Sequence, residues 1–207
     1  MVTGIYCTAS IIERFGRVFT QVVVCGPACF MMRLYMALYP TMTAIRPACP
    51  LDAARICAIY NHYVDGTTIS FEEAPVTAND MAARIADVID GSLPWLVLTD
   101  GDAILGYAYA TKWRARPAYR HAVESTIYLD AALAGQGHGM RLYASLLDEL
   151  RTRGLHTVIA GIAQPNARSV RLHDRLGFAK VAHFSEVGFK LGMWLDVGYW
   201  QMRLTPD

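Results

Sequence analysis

The sequence predicts an α/β fold, in which one domain contains a mixed, mainly antiparallel sheet with helices on both faces. The chain has 207 residues, which is enough for one α/β core, while a second independent core is not expected. Apolar runs of strand length are joined by tight turns, such as Asp100-Gly101-Asp102, which is typical of a β-hairpin. Other segments carry apolar residues at helical spacing, which indicates helices that pack against the sheet.

The first half of the chain predicts two helices and four strands. One helix begins near Pro50 and ends at Gly66, because proline is tolerated in a first helical turn and glycine stops a helix. A second helix can be capped by Thr77 and ends at Asp90. The apolar stripes that predict these helices are Ile56, Ile59, Tyr60 and Tyr63, and then Met81, Ile85, Val88 and Ile89. The predicted strands are 43–46, 94–99, 104–112 and 123–129.

The second half predicts two more helices and three more strands. The third helix runs from Met140 to Arg153, and Gly154 provides a left-handed stop. The fourth helix begins near Asn166 and ends at Gly177. The residues that share one face of this fourth helix are Ser169, Leu172, His173 and Leu176. The predicted strands are 156–162, 179–186 and 197–204.

Residues 1–42 are expected to be an N-terminal extension outside the domain, which then spans residues 43–207. The uncharged, mostly apolar stretch from Val18 to Met32 is about fifteen residues long and is broken by Gly26-Pro27. A membrane span needs about twenty residues, and no clear secretory cleavage site follows. A docked helix and a membrane attachment are the alternatives for this segment.

Composition disfavours several classes of partner. The net charge is +1 and 18% of the residues are charged, so no polybasic surface for nucleic acid is expected. There are five cysteines, and Cys25-x-x-x-Cys29 lacks a second Cys or His pair at metal spacing. We therefore expect free thiols in a reducing cytoplasm, with no metal site, no nucleic-acid partner and no membrane association.

A glycine-rich turn, Ala134-Gly135-Gln136-Gly137-His138-Gly139, lies between a predicted strand and the third helix. Its glycines let backbone N–H groups converge on an anion, and the N-terminus of the following helix adds positive potential. A pyrophosphate fits such a turn, although glycine turns are common in proteins. A Rossmann site is disfavoured because no dinucleotide-binding βαβ unit surrounds the turn.

This turn resembles the Gln/Arg-x-x-Gly-x-Gly/Ala motif of the GNAT superfamily of N-acetyltransferases, with Ala134 in place of the usual Gln or Arg. Other segments resemble its phosphinothricin acetyltransferases, in the same order, over about residues 43–204. Leu195 instead is typical of the related methionine sulfoximine/sulfone acetyltransferases, whereas Phe71 is typical of the phosphinothricin branch. The matching segments include Asn61-His62-Tyr63, Pro94-Trp95-Leu96-Val97, Glu124-Ser125-Thr126-Ile127-Tyr128, Ser169-Val170-Arg171-Leu172-His173 and Gly188-Phe189-Lys190.

The resemblance implies direct transfer of an acetyl group from acetyl-CoA to the α-amine of a small amino-acid-like substrate. Glu124 is the expected general base, because a protonated amine cannot attack a thioester. His173 is the expected donor of a proton to the leaving thiolate. The residues expected to bind acetyl-CoA are Leu129, Gly135, Gln136, Gly137, His138, Gly139, Met140, Asn166 and Ser169. Those expected to bind the substrate are Phe71, Arg114, Arg116 and Tyr119, since guanidinium groups suit carboxylate and phosphinyl oxygens.

Plainer interpretations exist for the same residues. Glu124 taken alone fits a surface carboxylate, His173 a hydrogen-bonded core residue, and Asn166 a helix N-cap. The family is typically dimeric, so we also expect a homodimer built on the apolar segment from Phe189 to Trp200. The alternative functions are a peptide or protein N-terminal acetyltransferase and a non-catalytic acyl-CoA-binding sensor. A sensor is disfavoured because it would need neither a general base nor a proton donor.

Overall fold

The computed structural model describes residues 11–14, 17–20, 43–133 and 135–204. The chain divides into two units, residues 1–41 and 42–207. In the first unit, β1 (Ile11–Arg14) and β2 (Arg17–Thr20) pair antiparallel in a sheet of their own. Most of the apolar stretch of residues 18–32, including Cys25 and Cys29, lies outside the described residues, as does Ala134 of the glycine turn.

We propose that residues 42–207 fold and act without residues 1–41. A chain that starts at Met42 is expected to melt within a few degrees of the full chain and to keep its activity, because the segments that resemble the family begin after this residue. If residues 1–41 covered apolar surface of the domain, their removal would cause aggregation or lower the melting temperature by several degrees. Calorimetry and an activity assay on both chains distinguish these results, and an insoluble or inactive short chain would contradict the proposal.

The second unit is built on seven strands. These are β3 (Ala44–Pro47), β4 (Trp95–Asp100), β5 (Ala103–Lys112), β6 (Ala122–Leu129), β7 (Thr157–Gln164), β8 (Ala179–Lys190) and β9 (Met193–Arg203). Their order in the sheet is β3-β4-β5-β6-β7-β9-β8. All neighbouring pairs are antiparallel except β6 and β7, which are parallel. The predicted mixed, mainly antiparallel sheet is therefore confirmed.

The α-helices in the described part of this unit cover both faces of the sheet. They are α1 (Ala53–Gly66), α2 (Ala78–Asp90), α3 (His138–Thr152) and α4 (Ala167–Leu176). On β4, Trp95 and Val97 join the core that contains α1 and α2, whereas Leu96 and Leu98 join the core that contains α3. Alternate residues of β4 thus pack into two cores on opposite faces of the sheet, because successive side chains of a strand point to opposite faces. None of the described helices is long and apolar enough to cross a membrane.

The predicted helix ends agree with the structure where a cap residue was recognised. The side chain of Thr77 accepts a hydrogen bond from the backbone N–H of Asp80 at the start of α2 (3.1 Å). Asn166 does the same for Ser169 at the start of α4 (3.1 Å). Gly177 ends α4 in the left-handed conformation, with φ of 91°, which a glycine adopts without steric cost.

Strands β8 and β9 are longer than predicted, because they continue into a hairpin whose turn is Leu191-Gly192. Both turn residues have positive φ, 51° and 75°, as a two-residue hairpin turn requires. The rings of Phe189 and Trp194 pack across this hairpin with their centroids 5.1 Å apart. The prediction ended β8 four residues too early and began β9 four residues too late. Both faces of the hairpin carry exposed apolar residues, so the alternation that marks a half-buried strand is absent.

Candidate active site

The two central strands β6 and β7 separate where a ligand could enter the sheet. They pair only from Ala122 with Thr157 to Glu124 with Ile159, although β6 continues to Leu129. Beyond Glu124 the facing backbone groups of the two strands do not pair with each other and are available to a ligand. A cavity of about 580 Å³ occupies this opening, within the roughly 300–1,000 Å³ that is usual for small-molecule sites.

The glycine turn lies at this cavity. Gly135 and Gly137 have φ of 88° and 82°, and no other atom lies within 4 Å of the place where a Cβ would be at either residue. Gly137 caps α3, so this helix begins two residues earlier than predicted and places Gly139 in its buried first turn. The predicted acetyl-CoA residues that line the cavity are Leu129, Gly135, Gly137, Gly139, Met140, Asn166 and Ser169. Gln136 and His138 belong to the same turn but are not part of this lining.

Three arginines that the sequence analysis missed also line the cavity. Arg168, Arg171 and Arg175 are exposed residues of α4, and their spacing of three and four places them along one side of the helix. Guanidinium groups bind phosphate oxygens in pairs of hydrogen bonds. This spacing is visible in the sequence, but the apolar residues that predict the helix lie on another face.

Glu124 is the last residue of β6 that pairs with β7, and its carboxylate lies beside the cavity. A Cβ at Gly161, which lines the cavity, would be 3.4 Å from Glu124 Oε1 and 3.3 Å from the ring of Tyr199. No residue in the described part of the chain donates a hydrogen bond to this carboxylate. Burial raises the pKa of Glu124, and the positive charge of Arg114 partly opposes that rise. A half-buried carboxylate of this kind is suited to accept a proton near neutral pH.

His173 is a buried residue that also lines the cavity. Its Nδ1 donates to the backbone carbonyl of Ser169 (2.8 Å), so its Nε2 accepts from the hydroxyl of Tyr143 (3.1 Å). Tyr143 is hydrogen-bonded in turn to Ser125 Oγ (2.6 Å). Burial lowers the pKa of His173, which favours a neutral ring with its hydrogen on Nδ1.

Tyr143 and Ser125 were not predicted as part of the site. Tyr143 was recognised only as one member of the buried stripe of α3. A buried tyrosine hydroxyl usually needs a hydrogen-bond partner. The presence of Tyr143 in the buried stripe therefore indicated that such a partner exists. The identity of the partner could not be read from the sequence, because Ser125 and His173 come from a strand and a helix distant in sequence.

A second cavity of about 290 Å³ is lined in part by Ile159, the residue of β7 that pairs with Glu124. It is lined by Arg114 together with the aromatic residues Trp113, Phe184 and Tyr199, and the guanidinium of Arg114 lies 4.5 Å from the centroid of the Trp113 ring. Glu124 is thus placed between the two cavities, since it adjoins Gly161 of the first and Tyr199 of the second. Neither cavity is lined by the other predicted substrate residues, which are Phe71, Arg116 and Tyr119.

Arg116 and Tyr119 are exposed in the segment before β6, and Phe71 is exposed in the loop before α2. The structure therefore brings Arg114 near the predicted general base, and it leaves these three side chains outside the two cavities. The aromatic wall formed by Trp113, Phe184 and Tyr199 was not predicted as a site, since it joins a loop to two strands at the other end of the chain.

Known proteins share this fold and these segments. Residues 45–198 match the family described as Acetyltransferase (GNAT) domain. The chain is 41% identical to the phosphinothricin N-acetyltransferase of Streptomyces coelicolor, over 77% of this chain and 95% of that protein. It is 39% identical to the L-methionine sulfoximine/L-methionine sulfone acetyltransferase of Salmonella typhimurium, over 79% of this chain and 98% of that protein.

A solved structure gives the same result. The phosphinothricin acetyltransferase of Sinorhizobium meliloti, in complex with acetyl-CoA, superimposes with a TM-score of 0.75 and 33% sequence identity. The aligned part covers 78% of this chain and 88% of that one. The predicted family and its fold are therefore confirmed, and the chain belongs to the GNAT acetyltransferases.

Proposed function

We propose that the protein acetylates the α-amine of a small amino-acid-like substrate, with Glu124 as general base. The observation that carries this proposal is the position of Glu124, which lies between the two cavities at the point where β6 and β7 separate. A raised pKa and the lack of a described hydrogen-bond donor are what a base in a transferase needs. A carboxylate with a purely structural role would normally have partners.

The acyl donor is acetyl-CoA, which occupies the first cavity. The opening between β6 and β7 offers unpaired backbone groups along the length of a narrow ligand, and the glycine turn offers N–H groups at the start of α3. Arg168, Arg171 and Arg175 add positive charge to the lining of this cavity. Backbone donors and guanidinium groups around one cavity match a molecule that carries several phosphates. The acetyl-CoA complex of the Sinorhizobium meliloti relative supports this assignment.

Acetyl-CoA supplies an activated thioester carbonyl. Glu124 takes a proton from the ammonium group of the substrate, directly or through one water, so that the nitrogen lone pair becomes available for attack. We assign delivery of a proton to the leaving sulfur to His173, on the strength of the family resemblance and because its ring lines the same cavity. The neutral ring must first take up a proton, since its Nδ1 hydrogen is held by the Ser169 carbonyl and its Nε2 accepts from Tyr143. Overall the ammonium group loses two protons, of which one ends on the sulfur and the other in solvent.

The substrate occupies the second cavity, which adjoins Glu124. The guanidinium of Arg114 binds its carboxylate, and the aromatic wall packs against its methylenes. We assign Arg116, Tyr119 and Phe71 to the outer oxygens and the far end of the substrate, on the strength of the family resemblance. The names of the two curated relatives support phosphinothricin, methionine sulfoximine or methionine sulfone as the substrate.

An assay of CoA thiol release tests this proposal. The purified chain is mixed with acetyl-CoA and with phosphinothricin, methionine sulfoximine, methionine sulfone or ordinary amino acids in turn. We expect amine-dependent release with at least one of the first three amines, and a kcat/KM that is lower for ordinary amino acids. Equal and negligible release with all amines would contradict the proposal.

We also propose that the enzyme is a homodimer built on the β8–β9 hairpin. Its exposed apolar residues are Val181, Phe184, Val187, Phe189, Leu191, Met193 and Trp194, each with at least half of its surface exposed. A patch of this size on one structural element is unusual for a monomer, and a second copy can cover it by self-complementary packing. Light scattering at micromolar concentration is expected to give twice the chain mass, and Trp194→Asp to give a monomer. A monomeric unmodified chain would refute the proposal.

We place this enzyme in the cytoplasm. Its two cysteines in the described part of the chain, Cys49 and Cys57, are both free thiols. Free thiols are in keeping with a reducing compartment. Localisation of the full chain by fractionation, with detection by antibody, tests this assignment.

A further inference from the structure

Lys190 is a buried lysine that the proposed chemistry does not use. Only 3% of its surface is exposed, although lysine is almost never fully buried without partners. Its Nζ donates hydrogen bonds to the backbone carbonyls of Val64 and Ser70, both at 2.7 Å. No Asp or Glu in the described part of the chain forms a salt bridge with it. A buried ammonium held by two backbone carbonyls indicates a defined positioning role.

The two carbonyls that accept from Lys190 belong to the end of α1 and to the loop that follows it. Val64 lies in the last turn of α1, where a positive charge is favourable next to the unpaired carbonyls of the helix end. Ser70 lies in the loop between α1 and α2, residues 67–77, which contains no helix or strand. Lys190 itself is the last residue of β8. One side chain therefore connects the tip of the β8–β9 hairpin to the α1–α2 loop.

A second contact joins the same hairpin to the same loop. A Cβ at Gly188 would lie only 2.2 Å from the ring of Phe71, so the ring packs directly on the backbone of β8. Phe71 follows Ser70, whose carbonyl accepts from Lys190. The hydroxyl of Ser70 is also hydrogen-bonded to Tyr60 of α1 (2.8 Å). The middle of the loop is thus fixed from two sides.

This loop carries Phe71, which we assigned to the far end of the substrate, and its Ile69 lines the first cavity. Ser70, whose carbonyl accepts from Lys190, lies between these two residues. We propose that Lys190 is a positioning residue that holds the α1–α2 loop against the β8–β9 hairpin, and that it thereby fixes Phe71 for contact with the amine substrate. The effect on the amine substrate rests on the proposed function, whereas the contact between Lys190 and the loop does not.

The experiment compares Lys190→Met with Lys180→Met, a matched control on the same strand whose lysine is exposed. In Lys190→Met, the carbonyls of Val64 and Ser70 lose a charged donor in a buried place. Hydrogen–deuterium exchange of residues 67–77 is expected to accelerate about tenfold relative to the control, while α3 and β7 remain unchanged. The KM for the amine is expected to rise about tenfold, and the KM for acetyl-CoA to stay within about twofold.

Exchange of residues 67–77 that equals the control would overturn the proposal. Equal increases of both KM values, or faster exchange throughout the sheet, would also overturn it, because they would show a general loss of stability. If the unmodified chain acetylates none of the tested amines, the proposed function fails while the exchange measurement still decides the role of Lys190. Gly188→Ala is a second variant, which keeps the ammonium but displaces the ring of Phe71. It is expected to accelerate exchange in the same loop, and unchanged exchange would show that the hairpin does not hold it.

Discussion

Glu124→Gln is expected to lower kcat by about 10²- to 10⁴-fold, the usual range for the loss of a general base. Glutamine preserves the size of the side chain but cannot accept a proton from the ammonium group. The affinity for acetyl-CoA is expected to stay within about twofold, because the residues proposed to bind it lie on the glycine turn and α4. Steady-state kinetics and calorimetric titration measure the two quantities, and undiminished turnover would remove Glu124 from the mechanism.

The pH dependence provides a separate test of the same residue. The base works when it is deprotonated, so kcat/KM should fall as the pH drops through the pKa of Glu124. Burial raises this pKa, so the fall is expected at a higher pH than an ordinary glutamate would give. Arg114 opposes the rise, so Arg114→Gln should move the fall to a still higher pH. A profile without an acid limb, or a shift to lower pH in Arg114→Gln, would contradict this assignment.

Gly139→Val is expected to weaken acetyl-CoA binding about 10- to 100-fold, since extra methyl groups in packed space cost about 1–3 kcal/mol. A Cβ at this position already lies 3.3 Å from Leu129 and 3.7 Å from Leu172, so the two methyl groups of valine must enter the cavity. Ala144→Val adds a β-branched side chain to the same helix outside the cavity lining and serves as the control. Calorimetric titration with acetyl-CoA measures both variants. Equal dissociation constants would show that the glycine turn does not bind the cofactor.

The parts of the fold that were predicted correctly depend on local chemistry. Thr77, Asn166 and Gly177 cap helices through their own side chain or backbone freedom, so a short window of sequence identifies them. The positive φ of Gly137 likewise follows from the needs of a tight turn before a helix. The mixed, mainly antiparallel character of the sheet was predicted, but the order of its strands was not, because pairing between distant strands leaves little trace in a single sequence.

The parts of the candidate site that were missed depend on contacts between distant segments. Tyr143 and Ser125 meet His173 only after a strand and two helices have packed together. Tyr199 reaches the neighbourhood of Glu124 because β9 pairs with β7, which no local pattern indicates. The extent of the β8–β9 hairpin was underestimated for a different reason, since its exposed apolar residues do not alternate with polar ones.

Identification of the reaction product tests the proposed acetylation most directly. The full chain is incubated with acetyl-CoA and with the amine that releases CoA thiol fastest, and the products are analysed by mass spectrometry and NMR. We expect one acetyl group on the α-nitrogen for each CoA released, and the loss of this product in Glu124→Gln. Release of CoA with free acetate as the only acyl product, or acetylation that persists in Glu124→Gln, would contradict the proposed function.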